Sequence, residues 1–185
     1  MSDTALVIVD LQNDYFPGGA MALEGAQAAA ARAGEALAAF RQRGLPVVHV
    51  RHLSVRPGAT FFVPGTPGAE IHAAVRPAEG EAVVEKNFPN SFRDTDLAKR
   101  LEALGAKHLV VAGMMTHMCV DATVRQAADL GYRVTLMADA CATREQSYGG
   151  ERVPARQVHT AFLAALNGLY AKVVPTAEAL KGEKS

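Results

Sequence analysis

Ala5-Leu6-Val7-Ile8-Val9-Asp10 is the stretch that decides the fold. Five apolar residues run without a polar break and stop at a carboxylate. A strand with one wet face alternates apolar and polar residues, whereas an unbroken short run suits a strand buried on both faces. Such strands belong to parallel sheets covered by helices, so the rest of the chain should alternate strand and helix.

It does. Pro17-Gly18-Gly19 breaks the chain, and the alanine-rich stretch 24–43 predicts a helix packing on Leu37 and Phe40, stopped by Gly44. Strands are expected at 46–52, 81–85, 107–112, 132–138 and 171–174. Helices are expected at 94–104, 119–130 and 154–169, with a short one at 69–75. Residues 54–68 hold three prolines and three glycines and read as loop; the polar C-terminal residues should fray. The expectation is an α/β fold: an open, mainly parallel sheet of about six strands with helices on both faces, a Rossmann-type three-layer arrangement. No linker or repeat divides residues 1–185, so one domain is expected.

Composition narrows the function classes. The chain has 19 Lys+Arg against 19 Asp+Glu, 49% apolar residues, two cysteines and no tryptophan. It is too apolar for disorder, and zero net charge points to no nucleic-acid partner. No apolar run is long enough to cross a membrane. Asp10 interrupts the first apolar run, the residues before it lack a basic region, and the cysteines lack the spacing of a secreted disulfide framework. A reducing, cytoplasmic setting is expected.

Ligand sites of open parallel sheets lie beyond the C-terminal strand ends. Asp10, Lys86, the 113–119 turn and Asp139 all map to that edge. Cys119 follows a strand and turn and begins a predicted helix. Backbone N–H groups there, with a nearby lysine, could lower a thiol pKa from about 8.5 to about 7, which needs roughly 2 kcal/mol of thiolate stabilisation. A small buried core cysteine fits the same position. Asp10 suits a general base, a metal ligand or a turn cap; Asp14 suits chemistry or a cap. Gln12 suits a residue orienting Asp10 or satisfying the turn. Lys86 suits charge balance for a thiolate and a carboxylate, or a solvated surface.

Metal and cofactor signals are weak. His49 and His52 fall on opposite faces unless the strand ends between them. Cys141 lies 22 residues beyond Cys119 without a CxxC pair, and is expected to be structural; His159 reads as a core or interface residue. Nucleotide-binding glycine motifs are absent. Neither a metal nor a cofactor is expected. Phe61, Phe62, Phe88 and Phe92 could line a pocket or fill a core, and Arg51, Arg56 and Arg93 could meet an anion or sit on the surface.

Four segments together resemble the isochorismatase-like cysteine hydrolases, which include nicotinamidases and N-carbamoylsarcosine amidohydrolase-type enzymes. They are Ala5–Phe16 around Asp10-Leu11-Gln12-Asn13-Asp14, Val84–Phe92 around Lys86, Gly113–Asp121 around Cys119, and Leu136–Thr143 around Asp139. They occur in family order and span nearly the whole chain. The resemblance implies Cys119 as nucleophile, Asp10 as proton acceptor and Lys86 as support for the thiolate. It implies a cis bond between Met114 and Met115, with the Met115 and Cys119 N–H groups as oxyanion donors. It suggests a pocket of Phe16, Phe62, Phe88, Phe92 and His117, with Gln12 and Asp139 behind the catalytic groups. The reaction implied is metal-independent hydrolysis of a small carboxamide or related C–N bond through a thioester. The nicotinamidase Asp-x-His metal segment is replaced by Val50-Arg51-His52, which counts against a metal. Ether hydrolysis on the same site and a non-enzymatic interaction module remain alternatives. Family members assemble, so a homodimer or homotetramer is implied, with a small molecule as substrate.

Overall fold

The computed structural model describes residues 3–181; the C-terminal residues 182–185, expected to fray, lie outside it. Six parallel strands form the sheet in the order β3-β2-β1-β4-β5-β8. These are β1 (Thr4–Val9), β2 (Val47–His52), β3 (Ala82–Lys86), β4 (His108–Met114), β5 (Arg133–Ala142) and, last in the chain, β8 (Lys172–Val174). Every residue of β1 is buried, as its unbroken apolar run requires.

Period-two alternation splits β1 between two cores. Leu6 and Ile8 face α1 (Ala26–Gln42), where Ala29, Ala30, Ala33, Leu37 and Phe40 make the buried stripe. The alanines let this helix lie close to the sheet. Ala5, Val7 and Val9 face the opposite layer. That layer holds α2 (Leu97–Ala103), α3 (Asp121–Asp129) and α4 (Ala155–Leu166). The helices therefore cover both faces, as expected.

Four differences from the sequence expectation stand out. The short helix expected at 69–75 is two single 3₁₀ turns, Pro67–Ala69 and Ala73–Val75; Ile71 between them bridges to Gln12. A two-stranded antiparallel hairpin, β6 (Gln146–Tyr148) and β7 (Glu151–Val153), was not expected; its strands are three residues each and carry no apolar run. A last short helix, α5 (Thr176–Ala179), was likewise unread.

The fourth difference is β5, which runs on to Ala142. Its pairing with β4 slips: Val111 faces Leu136, but Gly113 faces Cys141. The extra residues bulge out and carry Asp139 to the α1 side. There Asp139 accepts hydrogen bonds from the Thr176 N–H and hydroxyl, both at 2.7 Å, and lies 3.7 Å from Arg32. Asp139 thus fastens the start of α5; it does not back the catalytic groups as expected. On β4, Gly113 sits at φ +140, and a Cβ there would fall 2.0 Å from the Val9 carbonyl oxygen. Only glycine lets β4 pass this close to the end of β1, beside Asp10.

Candidate active site

Four adjacent strand ends deliver the central groups. Asp10 follows β1, His52 ends β2, Lys86 ends β3, and Cys119 lies in the turn after β4. His52 and Lys86 face each other in register across β2 and β3. Asp10 takes φ +51, a left-handed conformation that asparagine and aspartate tolerate best among side-chain-bearing residues, while its N–H still bonds Val50 at 3.0 Å. That turn ends the strand and leaves the carboxylate fully buried at the sheet edge.

Lys86 Nζ lies 2.7 Å from Asp10 Oδ2, 2.9 Å from His52 Nδ1 and 3.0 Å from the Phe88 carbonyl oxygen. An ammonium has three donors, and three acceptors surround this one. Burial by itself works against the charge, but Asp10 and Cys119 outweigh it and hold the Lys86 pKa above the ordinary lysine value. His52 is driven the other way. Burial first, then the Lys86 charge, push its pKa down to about 4. Its ring is therefore neutral near pH 7, with Nδ1 accepting from Lys86 and the proton on Nε2.

Cys119 Sγ lies 3.9 Å from His52 Nδ1. The residue is 4% exposed and sits inside a π-helical turn, Thr116–Val120, with α3 beginning only at Asp121. The expected lowering of its pKa does not occur. Burial, then the Asp10 charge, push the thiol well above its ordinary value, and Lys86 offsets only part of this. The lysine charge is already balanced by Asp10, and the sulfur is not at the first turn of an α-helix. The resting nucleophile candidate is thus a thiol beside a carboxylate. Two histidines brace its turn: His117 Nδ1 is 2.5 Å from the Thr143 hydroxyl, and His159 Nδ1 is 2.9 Å from the Thr116 hydroxyl. The peptide between Met114 and Met115 is cis, as the resemblance implied. Cys141 is a buried free thiol with its pKa pushed up to about 12 by burial, in keeping with a structural role.

Gln12 acts through a different residue from the one expected. Its Oε1 accepts from the His52 N–H at 2.7 Å, and its Nε2 donates to the His52 and Ala69 carbonyls at 2.9 and 2.8 Å. Asp14 is also a bracket. Its carboxylate accepts from the Phe62 N–H at 2.6 Å and the Ala20 N–H at 3.1 Å.

A cavity of about 500 Å³ opens above Cys119, walled by Tyr15, His52, Phe61, Met115, Met118 and Arg144 among others. The expected pocket residues stand elsewhere. Phe62 is fully buried, packed edge-on to Tyr15 at 4.7 Å, because Asp14 holds its backbone inward. Phe16 stacks on His72 at 3.7 Å, Phe88 lies under Arg93, Phe92 pairs with Tyr132, and His117 meets the edge of Phe162. The neighbours Tyr15 and Phe61 take the wall instead. His52 was the main omission. The rule that selected Asp10 and Lys86, a polar residue at a strand's C-terminal end, selects it equally.

The donor set does not suit a metal. Asp10, His52 and Cys119 offer ligand atoms within 4.8 Å of one another. The Lys86 ammonium sits against the first two, where a cation would have to lie. Val50 is buried in the core and Arg51 is paired with Glu70 and Glu85, so the segment equivalent to the nicotinamidase metal site offers no second ligand beside His52.

The chain is similar to known proteins over nearly its whole length. The model of the isochorismatase domain matches residues 4–178. An isochorismatase family protein of Bacillus subtilis, YddQ, is 52% identical over 178 residues, 96% of this chain and 99% of that protein. Streptothricin hydrolase of Streptomyces noursei is 39% identical over 179 residues, 95% of this chain and 63% of that protein. A crystal structure assigned to the isochorismatase hydrolases, from Oleispira antarctica, superposes with a TM-score of 0.94 at 52% identity, covering 97% of this chain and 96% of that one. More distant relatives, at 29% identity, are named amidohydrolases.

Proposed function

The chain belongs to the isochorismatase family of hydrolases, and from that premise we propose that it cleaves a small carboxamide or related C–N bond through a thioester on Cys119. One observation carries the reading: a buried thiol stands beside a buried carboxylate whose charge is matched by Lys86 at 2.7 Å. As the Cys119 sulfur attacks the carbonyl carbon, its proton passes to Asp10. This answers the raised thiol pKa, since the thiolate need form only as the S–C bond forms. The backbone N–H groups of Met115 and Cys119 stabilise the oxyanion. The tetrahedral adduct breaks its C–N bond, and the amine leaves with the proton from Asp10. Asp10 then takes a proton from water as its oxygen attacks the thioester. Collapse releases the acid, and the sulfur regains its proton. No step uses a metal or a cofactor.

Ammonia release from a panel of small amides, with intact-mass detection of an acyl group on Cys119, tests this. Unchanged turnover in Cys119→Ala would overturn it. We also infer a cytoplasmic homodimer or homotetramer. Exposed Val55, Met118, Tyr148 and Leu169 support assembly, and light scattering measures it. No described helix is long and apolar enough to cross a membrane.

A further inference from the structure

We propose that His159 is a positioning residue for the oxyanion site: by accepting a hydrogen bond from Thr116, it fixes the turn that carries the Met115 and Cys119 N–H groups. This rests on the hydrolase reading above and adds to it a residue outside the Cys119 cavity. His159 lines a separate cavity, with Asp139 and Cys141.

The turn needs support from outside. Thr116–Val120 is a π turn, closed by bonds from the Val120 N–H to the Met115 carbonyl, at 3.2 Å, and from the Asp121 N–H to the Thr116 carbonyl. Such wide turns are rare and sit mostly within α-helices, which hold them at both ends. This one follows strand β4, so only its far end runs into a helix, α3. Its first residue, Thr116, is fully buried, and its hydroxyl lies 2.9 Å from His159 Nδ1 on α4, 43 residues away.

The direction of that bond follows from the ring's other partner. Burial holds the His159 pKa below its ordinary value, and a hydrogen bond to the Ala138 backbone offsets only part of this. The ring is therefore neutral near pH 7, with one N–H and one acceptor nitrogen. A backbone carbonyl can only accept, so Ala138 takes the N–H. Nδ1 is left as acceptor, and the Thr116 hydroxyl donates to it. Ala138 lies in the stretch of β5 where the register with β4 slips. The chain from Ala138 through His159 to Thr116 thus ties the start of the turn to the main sheet.

An oxyanion donor works only when aimed at the developing charge from about 2.7–3.1 Å. A backbone N–H has no torsion of its own with which to re-aim after the turn shifts. The cysteine sulfur has one, about its Cα–Cβ bond, and can still reach an electrophile. Loss of the brace should therefore separate reactions that form an oxyanion from those that do not.

The test compares two such reactions of the one thiol, neither of which needs the natural substrate. Acylation by p-nitrophenyl acetate forms an oxyanion at the attacked carbonyl. Alkylation by iodoacetamide displaces iodide from a saturated carbon and forms none. Thr116→Val removes the donor at nearly constant shape, and His159→Leu removes the acceptor. Each should slow the Cys119-dependent acylation burst about tenfold or more while alkylation changes by less than about twofold. The double variant should be no slower than the slower single variant, because all three cut one bond. Thr116→Ser, which keeps the hydroxyl, and His159→Asn, which keeps an acceptor near the Nδ1 position, should each recover part of the rate. Should Thr116→Val fail to fold by circular dichroism, His159→Leu against His159→Asn carries the same comparison. Equal slowing of both reactions would mark a merely structural role and overturn the proposal. Acylation at the wild-type rate in a single variant, or losses that add in the double variant, would do the same. Acylation unchanged in Cys119→Ala would remove the thioester reading itself, and the proposal with it, a failure distinct from the others.

Discussion

Gln12 holds His52 by its backbone from both sides, accepting from its N–H at 2.7 Å and donating to its carbonyl at 2.9 Å. His52 in turn accepts from Lys86, which pairs with Asp10. A fully buried amide thus sets the position of the ring that accepts one of the three hydrogen bonds the lysine donates. Removing it in Gln12→Ala leaves the His52 N–H and two carbonyls short of partners. Each buried group left unsatisfied costs about 1–3 kcal/mol, so with three such groups a loss of at least about 3 kcal/mol in urea unfolding is expected, with a lower kcat. Gln12→Glu keeps one acceptor but no donors, and should recover little.

The Asp10–Lys86 pair should show strong coupling. Lys86→Met strands a fully buried carboxylate, at a cost of about 3–5 kcal/mol. Adding Asp10→Asn removes the stranded charge and should restore much of the stability while activity stays absent. Urea unfolding of both single variants and the double variant measures this; losses that simply add would contradict it.

His52 predicts an acid sensitivity. Its pKa is about 4 folded against 6.5 as the reference value for a free histidine. Between these values the unfolded chain binds a proton that the native ring does not, so stability falls as pH drops from about 6.5 to 4 and levels below. The loss from this group is about 3 kcal/mol in all. His52→Asn, which keeps an acceptor near the Nδ1 position, should flatten that part of the profile in pH-dependent unfolding. It should also retain more turnover than His52→Leu, which offers Lys86 nothing.

Cys119 should alkylate slowly. With its thiol pKa raised, iodoacetamide labelling should climb steadily from pH 7 to about 10 without a plateau near neutrality. Asp10→Asn removes one cause of the rise and should speed labelling near pH 8, measured by intact mass. A fast, pH-independent reaction at pH 7 would show a preformed thiolate instead.

Two adjacent phenylalanines should separate cleanly. Phe62→Ala empties a fully buried site against Tyr15 and should cost about 3–5 kcal/mol in unfolding. Phe61→Ala strips part of the cavity wall and should raise KM with a smaller loss of stability.

Some of this was open to reading in one dimension. The unbroken Ala5–Val9 run required two covered faces, and the strand–helix alternation supplied the covers. Asp10, Lys86 and Cys119 stood out because each follows or ends an apolar run, which puts it at one sheet edge. His52 obeys the same rule, but His49 three residues before it on the strand points first to metal-ligand spacing. The pocket aromatics could not be read. Phe61 and Phe62 are neighbours of one type in a loop without period, and only the Asp14 bond to the Phe62 backbone, 48 residues away, decides which one turns inward.

What the chain determined by itself was local and periodic: buried strands, alternating helices, and polar residues at the strand ends. Tertiary structure decided what depends on contacts between distant segments. The slip of β5 against β4 took Asp139 out of the site. Burial, and after it the Asp10 charge, reversed the direction of the Cys119 pKa. The packing of α4 brought His159 to the Thr116 hydroxyl, 43 residues away. Register, desolvation and the field at a point are sums over neighbours in space, and the order of residues along the chain does not list those neighbours.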